Sequence, residues 1–502
     1  MEPGPHARDA ASGRGLPRSR NGASRRRFSR GRISQAPMSL QMSAGSPHSH
    51  DRNTSGPPHI LLVTEFFPAD PATCVFGVFQ RLQRHLEALS CVGPIDAVFF
   101  WPEQPLPPEE SCSRADMVKD LWPIDGAVRF VTAAPTRRRP LDWIADALWA
   151  LRGAVGFFHG TATMRSCGRD QVATLSRHIQ HLKPDLIFAH RIGGMAPLLR
   201  TRIALPPVLV DIDDIEHEKL KRLAQSMPRF APRLGIWTQA LLARHALRRI
   251  NATASCLLVA SELDQSKLVA ACRGAKTAII PNTAVAFELL PKAQSPTACF
   301  VGTADYAPNR EAILWLLHKI WPLVRAAIPD ARLLIAGSAT RELAAGFADQ
   351  GVEGLGFVAN LATVYERARI AVCPIRRGGG TRIKIIEAAM NARPVVSTLV
   401  GAEGLSLTPG AEILVEDEPA GFARACIALL QDPDLAASFG EAAQRRAAAV
   451  YDPARIRERL IALCRGLLDG ADNKAQTTAG GEHEQSAPIE IGQLPNRSRA
   501  GG

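Results

Sequence analysis

The amino-acid sequence predicts an α/β protein made of two successive units, each built around a parallel β-sheet. Continuous apolar runs such as 59–64 and 332–337 are typical of strands that are buried on both faces. Amphipathic segments with helical spacing lie between these runs. The alternation restarts after Pro281-Asn282-Thr283, which indicates a boundary between two α/β units.

The first unit opens with the run 59–64 and continues with a predicted helix over 78–89. This helix has apolar residues at helical spacing, namely Val78, Leu82, Leu86 and Leu89. Further predicted strands cover 95–100, 185–189 and 208–211. We expect the second unit to contain strands and helices in alternation. Its predicted strands cover 298–302, 332–337, 356–358, 370–374 and 394–398, and its predicted helices cover 309–320, 361–367, 381–391, 421–430, 434–449 and 453–469.

The segment 137–160 combines three arginines with an apolar stripe and several aromatic residues. A basic amphipathic helix of this kind is suited to an anionic bilayer surface. The alternative is a helix that packs on the core beside a solvated turn, which is the more common arrangement.

The chain has 502 residues and a net charge of +12, but the charge is concentrated at one end. Residues 1–57 contain ten arginines and three acidic residues, and they have few large apolar side chains. We expect a disordered basic tail there. It could be a nucleic-acid-binding arm or a targeting peptide, or the true start could be Met38 or Met42. The expected domains are 58–283 and 284–450, followed by a helix over 451–470, which we expect to pack back on the first domain, and a disordered tail over 471–502.

The ten cysteines are scattered without a paired Cys-x-x-Cys spacing, so we expect no metal cluster and a reducing, cytoplasmic compartment. No stretch approaches 18 uninterrupted apolar residues, and we expect no transmembrane helix.

The most informative segment is Arg376–Met390, which follows a predicted buried strand and leads into a predicted helix. Its glycines Gly378, Gly379 and Gly380, followed by Thr381, allow the backbone to approach a ligand closely. Free N–H groups at the start of a helix favour an anionic group such as a diphosphate. The alternative is a glycine-rich turn before an ordinary helix with solvated charges.

Three charged residues follow this glycine loop. Arg382 and Lys384 add positive charge beside a bound diphosphate. Glu387 lies one turn after Lys384, where its carboxylate can accept hydrogen bonds from a ribose diol. The segment therefore predicts a nucleoside-diphosphate site.

The run GGGTRIKIIEAAMNARPVVSTLVGAEGL at 378–405 resembles the donor-site segment of glycosyltransferase family 4, as do Phe300–Gly302 and the run 308–337. The resemblance is strong over 280–450 and weaker over 58–280. It implies two Rossmann-like domains that face each other across a cleft, the glycosyltransferase B architecture. It also implies a UDP- or GDP-sugar donor, transfer with retention of configuration, and no obligatory metal or cofactor.

The resemblance also implies roles for single residues. Glu387 matches the second glutamate of the family's Glu-x7-Glu motif, whereas Gly379 stands in place of the first, which in the family lies near the donor sugar. The family's Arg and Lys pair for the diphosphate is absent from the loop that starts at Gly302. We therefore expect Arg310, Arg382 and Lys384 to replace that pair, with Val358 at the strand end where the family pairs backbone groups with the base.

In the first unit, only Gly77 remains of the family's Gly-Gly loop. His190 resembles the family's histidine at a strand end near the reacting centre, and its alternative is an ordinary loop histidine. Asp213 and Asp214 belong to an acidic cluster over 211–217. Alone, that cluster suggests a metal site or an acid–base pair; capping of the next helix by Asp214 is the common alternative, and the resemblance favours contact with the acceptor.

We therefore expect a retaining glycosyltransferase that acts on a glycan or lipid-linked acceptor in bacterial surface polysaccharide or glycolipid synthesis. We expect a cytoplasmic location, with peripheral association with the inner membrane as an open alternative, and no nucleic-acid partner. Three other functions stay open: a nucleotide-sugar epimerase or phosphorylase of the same fold, a degenerate scaffold, and nucleic-acid binding through the basic tail.

Overall fold

A computed structural model describes the ranges 56–67, 77–101, 108–132, 168–226, 230–287, 293 and 295–479. The described residues belong to one compact unit. The expectations for the basic tail, for the segment 137–160 and for residues beyond 479 concern residues outside these ranges.

The first half of the chain folds around a seven-stranded parallel sheet. Its strands are β1 Ile60–Thr64, β2 Ile95–Trp101, β3 Val128–Thr132, β4 Leu186–His190, β5 Val208–Asp211, β6 Cys256–Val259 and β7 Thr277–Ile279. Its described helices are α1 Gly77–Leu89, α2 Pro108–Leu121, α3 Arg169–Leu182, α4 Arg191–Leu198, α5 Glu216–Ser226, α6 Phe230–Thr253 and α7 Glu262–Ala271.

The second half folds around a six-stranded parallel sheet. Its strands are β8 Thr297–Val301, β9 Arg332–Ala336, β10 Val352–Gly356, β11 Ile370–Cys373, β12 Val395–Ser397 and β13 Leu414–Val415. Its α-helices are α8 Ala307–Trp315, α9 Trp321–Ala327, α10 Thr340–Ala344, α11 Ala362–Arg367, α12 Ile383–Met390, α13 Leu399–Ala402, α14 Pro419–Gln431 and α15 Pro433–Tyr451, and the last helix of the chain is α16 Pro453–Ala479. A π-helical turn, Leu316–Ile320, joins α8 to α9, and a 3₁₀ helix, Ala345–Gln350, follows α10.

The six strands of the second sheet follow the same order as six strands of the first, which has one strand more. The first runs β3-β2-β1-β4-β5-β6-β7 and the second runs β10-β9-β8-β11-β12-β13. In each sheet the order reverses beside the first strand, between β1 and β4 and between β8 and β11. Ligands of doubly wound sheets bind at the carboxyl ends of the strands at this point. The predicted fold class, two Rossmann-like parallel-sheet domains, is confirmed.

The strands are buried on both faces, as their continuous apolar runs predict. Residues 60–63 of β1 have no exposed surface, and separate apolar clusters cover the two faces of the first sheet. One large cluster forms the core of the second half. The local sequence pattern therefore sets the position of the core.

The last helix returns to the first half of the chain. Ile456, Leu460 and Cys464 of α16 are buried in the same cluster as Leu82 and Leu86 of α1. The helix also continues to Ala479, beyond residue 470, where the predicted element ends.

Several elements differ from the sequence prediction. The predicted strand at 356–358 lies earlier, as β10, and the predicted helix over 309–320 begins at Ala307 and changes to π geometry after Trp315. Strands β3, β6, β7 and β13 were not predicted; β7 and β13 have only three and two residues, and β3 contains the charged Arg129. Within the described ranges, no helix has the length and apolar character needed to cross a membrane.

Candidate functional site

The predicted glycine loop lies at the carboxyl end of β11, between that strand and α12. Gly378 and Gly380 have φ values of +117° and +71°, which side chains other than glycine rarely adopt. The helix begins at Ile383 with Arg382 as its N-cap, two residues later than predicted. Thr381 is therefore part of the loop, where its side chain is buried.

Arg382 is folded back over the glycine loop. Its Nη1 donates to the carbonyl oxygen of Gly379. Its Nε and Nη2 are buried and have no hydrogen-bond partner. Buried guanidinium donors are costly when unpaired and bind phosphate oxygens well. The guanidinium thus has free donors beside the position where an anionic ligand is expected.

Lys384 connects the helix α12 to the first helix of the second half, α8. Its Nζ donates to Asn309 Oδ1 at 3.0 Å and lies 4.1 Å from the centre of the Phe300 ring. Burial lowers the pKa of Lys384 to about 8. A Cβ at Gly302 would lie 2.6 Å from Nζ, so glycine leaves room for the ammonium group there. Asn309 was not predicted as a site residue.

Glu387 faces inward from the next turn of α12. The hydroxyl of Tyr365, on α11, donates to its Oε2 at 3.0 Å. Burial raises the pKa of Glu387 to about 7, although the bond from Tyr365 and the charge of Lys384 oppose this shift. Tyr365 was also not predicted as a site residue, because it lies 22 positions before Glu387 and no local sequence pattern links the two.

Two other predicted donor residues lie at the edge of this region. Arg310 is exposed on the first turn of α8. Val358 follows β10 and packs against the core of the second half. Among the described contacts, Arg310 makes no hydrogen bond to the glycine loop.

In the first half, His190 ends β4 and is fully buried. Its Nδ1 hydrogen-bonds with Thr64 Oγ1 at 3.0 Å, and its Nε2 has no partner. Burial lowers its pKa to about 3, which keeps the imidazole neutral at physiological pH. In the parallel register, His190 pairs with Asp211 of β5.

Asp211 forms a buried ion pair with Arg81 of α1, which the sequence did not indicate. Arg81 Nη2 donates to Asp211 Oδ1 at 2.7 Å, and its Nε lies 3.0 Å from both carboxylate oxygens. Arg81 Nη1 donates to the carbonyl of Ile280 and to Asn282 Oδ1, at 2.8 and 3.1 Å. Arg81 therefore ties the first sheet to the linker between the halves.

The acidic segment after β5 approaches the glycine loop. Asp214 forms an ion pair with Lys219 at 3.6 Å, and its carboxylate lies against Gly379. The carbonyl oxygen of Asp213 lies 3.6 Å from where a Cβ at Gly380 would stand. Helix α5 begins at Glu216, so Ile215, not Asp214, immediately precedes it. Within the described ranges, no group of three or more metal-binding side chains is placed to hold an ion.

Further contacts join the halves around the same loop. Arg222 pairs with Glu403, and Lys267 Nζ lies 2.8 Å from the same carboxylate. Burial alone would raise the pKa of Glu403, but hydrogen bonds from Arg222 and Lys267 lower it to about 2. A Cβ at Gly77, the first residue of α1, would lie 3.1 Å from Ile383 Cδ1.

A narrow pocket of about 10 Å³ lies at these contacts, and both halves line it. A larger pocket of about 200 Å³ is lined by α1, the linker 281–283 and α16 instead of the glycine loop. We assign the site to the smaller pocket, because Gly379 and Gly380 of the glycine loop line it, although Arg382, Lys384 and Glu387 do not.

A family model and a curated protein match parts of the chain. The family model of group 1 glycosyl transferases matches residues 295–432, which include the glycine loop. An uncharacterised 44.6 kDa protein in the cps region of Klebsiella pneumoniae is 28% identical over 134 residues, 25% of this chain and 34% of that protein. The chain thus spans about a third of the length of this curated relative.

Solved structures resemble the chain over most of its length. Sucrose-phosphate synthase from Thermosynechococcus elongatus superposes with a TM-score of 0.59 at 18% identity, covering 82% of this chain and 100% of that one. Anabaena HepE, solved in complex with UDP and glucose, gives a TM-score of 0.56 at 14% identity, covering 82% and 99%. The fold is that of the glycosyltransferase B class, and the family match supports a group 1 glycosyltransferase.

Proposed function

We propose that the protein is a retaining glycosyltransferase that uses a UDP- or GDP-sugar donor and a glycan or lipid-linked acceptor. The observation that carries the proposal is the Arg382 guanidinium, whose Nε and Nη2 are buried without partners beside Gly378 and Gly379. A diphosphate would supply the acceptors that these donors lack. No obligatory metal or cofactor enters the proposal.

The charged residues of α12 have distinct roles in this proposal. Arg382 and Lys384 stabilise the negative charge that grows on the diphosphate as the glycosidic bond breaks. Since a bound diphosphate favours the protonated ammonium, it raises the pKa of Lys384 from its free value of about 8. Glu387 accepts hydrogen bonds from the ribose hydroxyls, while the Tyr365 hydroxyl holds its carboxylate in place.

The remaining predicted residues complete the donor and acceptor sites. Gly302 on the donor side leaves room for the Lys384 ammonium group, and Gly77 on the acceptor side leaves room for Ile383. Arg310 approaches the diphosphate from α8, and the backbone at Val358 pairs with the base. His190 places its neutral, unpartnered Nε2 near the sugar or acceptor, with Asp213 on the acceptor side. Closure of the two halves excludes water, which would otherwise hydrolyse the donor.

The similar proteins support a role in polysaccharide or glycolipid synthesis. The HepE structure contains UDP and glucose, and the Klebsiella relative is encoded in a cps region. We propose a reaction in the bacterial cytoplasm, with peripheral membrane association if the acceptor is carried on a lipid.

Calorimetry with UDP, GDP and ADP tests the donor site. We expect one of these nucleoside diphosphates to bind the wild type. Its affinity should fall about tenfold or more in each of the variants Arg382→Gln, Lys384→Met and Glu387→Gln, because each variant removes a charge-assisted contact. Arg367→Gln is the matched control, because Arg367 pairs with Glu353 on the exposed surface. Equal affinity for the wild type and Arg382→Gln would contradict the site. NMR of a donor panel, with and without acceptor, distinguishes transfer from epimerisation.

A further inference from the structure

The carboxylate of Asp214 occupies the space beside Gly379, although the two residues belong to opposite halves of the chain. A Cβ at position 379 would overlap Asp214 Oδ1. Gly378 and Gly380 have positive φ, but Gly379 does not. A side chain at 379 would therefore not be strained by a left-handed backbone, and it is the Asp214 carboxylate that occupies the volume beside this position.

This carboxylate lies next to a group that needs a ligand. Arg382 donates to the carbonyl of Gly379 through Nη1, and its Nε and Nη2 remain buried and unpaired. Asp214 is itself largely covered, with a side chain that is 16% exposed, and its described ion pair is with Lys219 at 3.6 Å. The loop thus has free cationic donors from its own half and an anionic acceptor from the opposite half.

The opposite signs indicate which part of a donor each group contacts. A carboxylate repels phosphate oxygens but accepts hydrogen bonds from neutral hydroxyls. In a nucleoside-diphosphate sugar, the sugar is the part next to the diphosphate that carries several hydroxyls and no charge. Asp214 therefore suits the sugar, whereas Arg382 and Lys384 suit the diphosphate.

We propose that Asp214 is a specificity-determining residue that accepts hydrogen bonds from the hydroxyls of the donor sugar. The first half thereby supplies an acidic group that the glycine loop does not contain. Donor entry separates Asp214 from Gly379 enough to admit the sugar, and the hydroxyls then take the place of that contact. This inference rests on the proposed function.

The experiment compares affinity for nucleotides with and without the sugar. Calorimetry measures Kd for UDP and UDP-glucose, and for GDP and GDP-mannose, with the wild type, Asp214→Asn and Asp214→Ala. We expect the wild type to prefer one sugar nucleotide over its nucleotide. In both variants that preference should fall about tenfold or more, because hydrogen bonds from the sugar to a charged group are lost. Both variants should bind the bare nucleotide at least as well as the wild type, because the bare nucleotide has no sugar to contact Asp214.

Glu216→Gln is the matched control, because Glu216 pairs with the same Lys219 at 3.4 Å. Its preference for the sugar nucleotide should equal that of the wild type. The double variant Asp214→Ala/Gly379→Glu returns a carboxylate to the same volume from the other half. A partial recovery of the preference in this variant would support a direct contact with the sugar.

The outcomes separate this inference from the proposed function. A wild type that binds no nucleoside diphosphate overturns both. Normal nucleotide binding, with an unchanged sugar preference in Asp214→Asn, overturns only the role of Asp214. Equal tightening of nucleotide and sugar nucleotide in both Asp214 variants also overturns it, because Asp214 would then only obstruct the loop.

Discussion

Asn282 of the linker donates through Nδ2 to Thr381 Oγ1 of the glycine loop at 2.7 Å. Both residues are buried, and Asn282 also accepts a hydrogen bond from Arg81, at 3.1 Å. One amide therefore joins the ion pair of the first sheet to the loop that we assign to the diphosphate.

A double-mutant cycle of Asn282→Ala and Thr381→Val measures this contact. Each single variant leaves a buried polar partner unpaired, so each should lower the free energy of unfolding by about 1–3 kcal/mol. The double variant should lose less than the sum, with a coupling energy of about 0.5 kcal/mol or more. Urea denaturation measures all four proteins, and additive losses would show that the two side chains are not coupled. Gln83→Ala, at an exposed hydrogen bond to Glu87, is a control with little expected effect.

The buried Arg81–Asp211 pair should dominate acid stability at low pH. Burial alone would raise the pKa of Asp211, but the charges of Arg81 and His85 and the hydrogen bonds from Arg81 lower it to about 2. Since the folded pKa lies below the unfolded value of about 3.9, this stabilisation is present above pH ~4 and is lost as the pH falls towards 2.

The variant Arg81→Met should lower the free energy of unfolding by about 3–5 kcal/mol at pH 7, because it leaves an unpaired buried carboxylate. Adding Asp211→Leu should recover part of this loss, since the uncompensated charge is then gone. Denaturation at pH 7 measures both. A double variant as unstable as Arg81→Met would contradict this explanation.

Three buried histidines should make the protein less stable in mild acid. Burial lowers the pKa of His190 to about 3 and the pKa values of His85 and His217 to about 4. Below the unfolded pKa of about 6.5, the unfolded chain binds more protons than the folded one, so stability falls as the pH drops from 6.5 to 4. Replacing His190 by Gln should reduce the slope of unfolding free energy against pH in this window. His245→Gln, at an exposed position of α6, should keep the wild-type slope.

Glu387 should reduce stability at alkaline pH. Burial raises its folded pKa to about 7, against about 4.3 in the unfolded chain, so stability falls as the pH rises from about 4.3 to 7. Glu387→Gln should therefore raise the free energy of unfolding at pH 8 by an amount on the order of 1–3 kcal/mol, and by little at pH 4. A pH series of urea melts measures this, with the exposed Glu458→Gln as control. A stabilisation that is the same at both pH values would contradict the raised pKa.

The sequence predicted the parts of the molecule that depend on neighbouring residues. The strand β1 and the glycine loop were predictable, because an apolar run and adjacent glycines encode local structure. Lys384 and Glu387 were predictable as neighbours, because they lie one turn apart on one helix.

The missed contacts depend on residues that are distant in the sequence. Arg81 and Asp211 are 130 positions apart, and Asn282 and Thr381 are 99 apart. Asn282 was recognised only as part of a break between two units, and Asp214 only as part of an acidic cluster. Their partners follow from how the halves pack, which no local pattern of one sequence reveals.

The return of α16 to α1 has a consequence for synthesis on the ribosome. Ile456, Leu460 and Cys464 of α16 pack in the same apolar cluster as Leu82 and Leu86 of α1. Helix α1 is synthesised early, but its packing is complete only after α16 has been synthesised near the end of the chain. Until α16 has left the exit tunnel, one face of α1 remains uncovered, and nascent chains with exposed apolar surface are prone to aggregate. Chains released early, before α16, should therefore depend on chaperones even when the second half has folded.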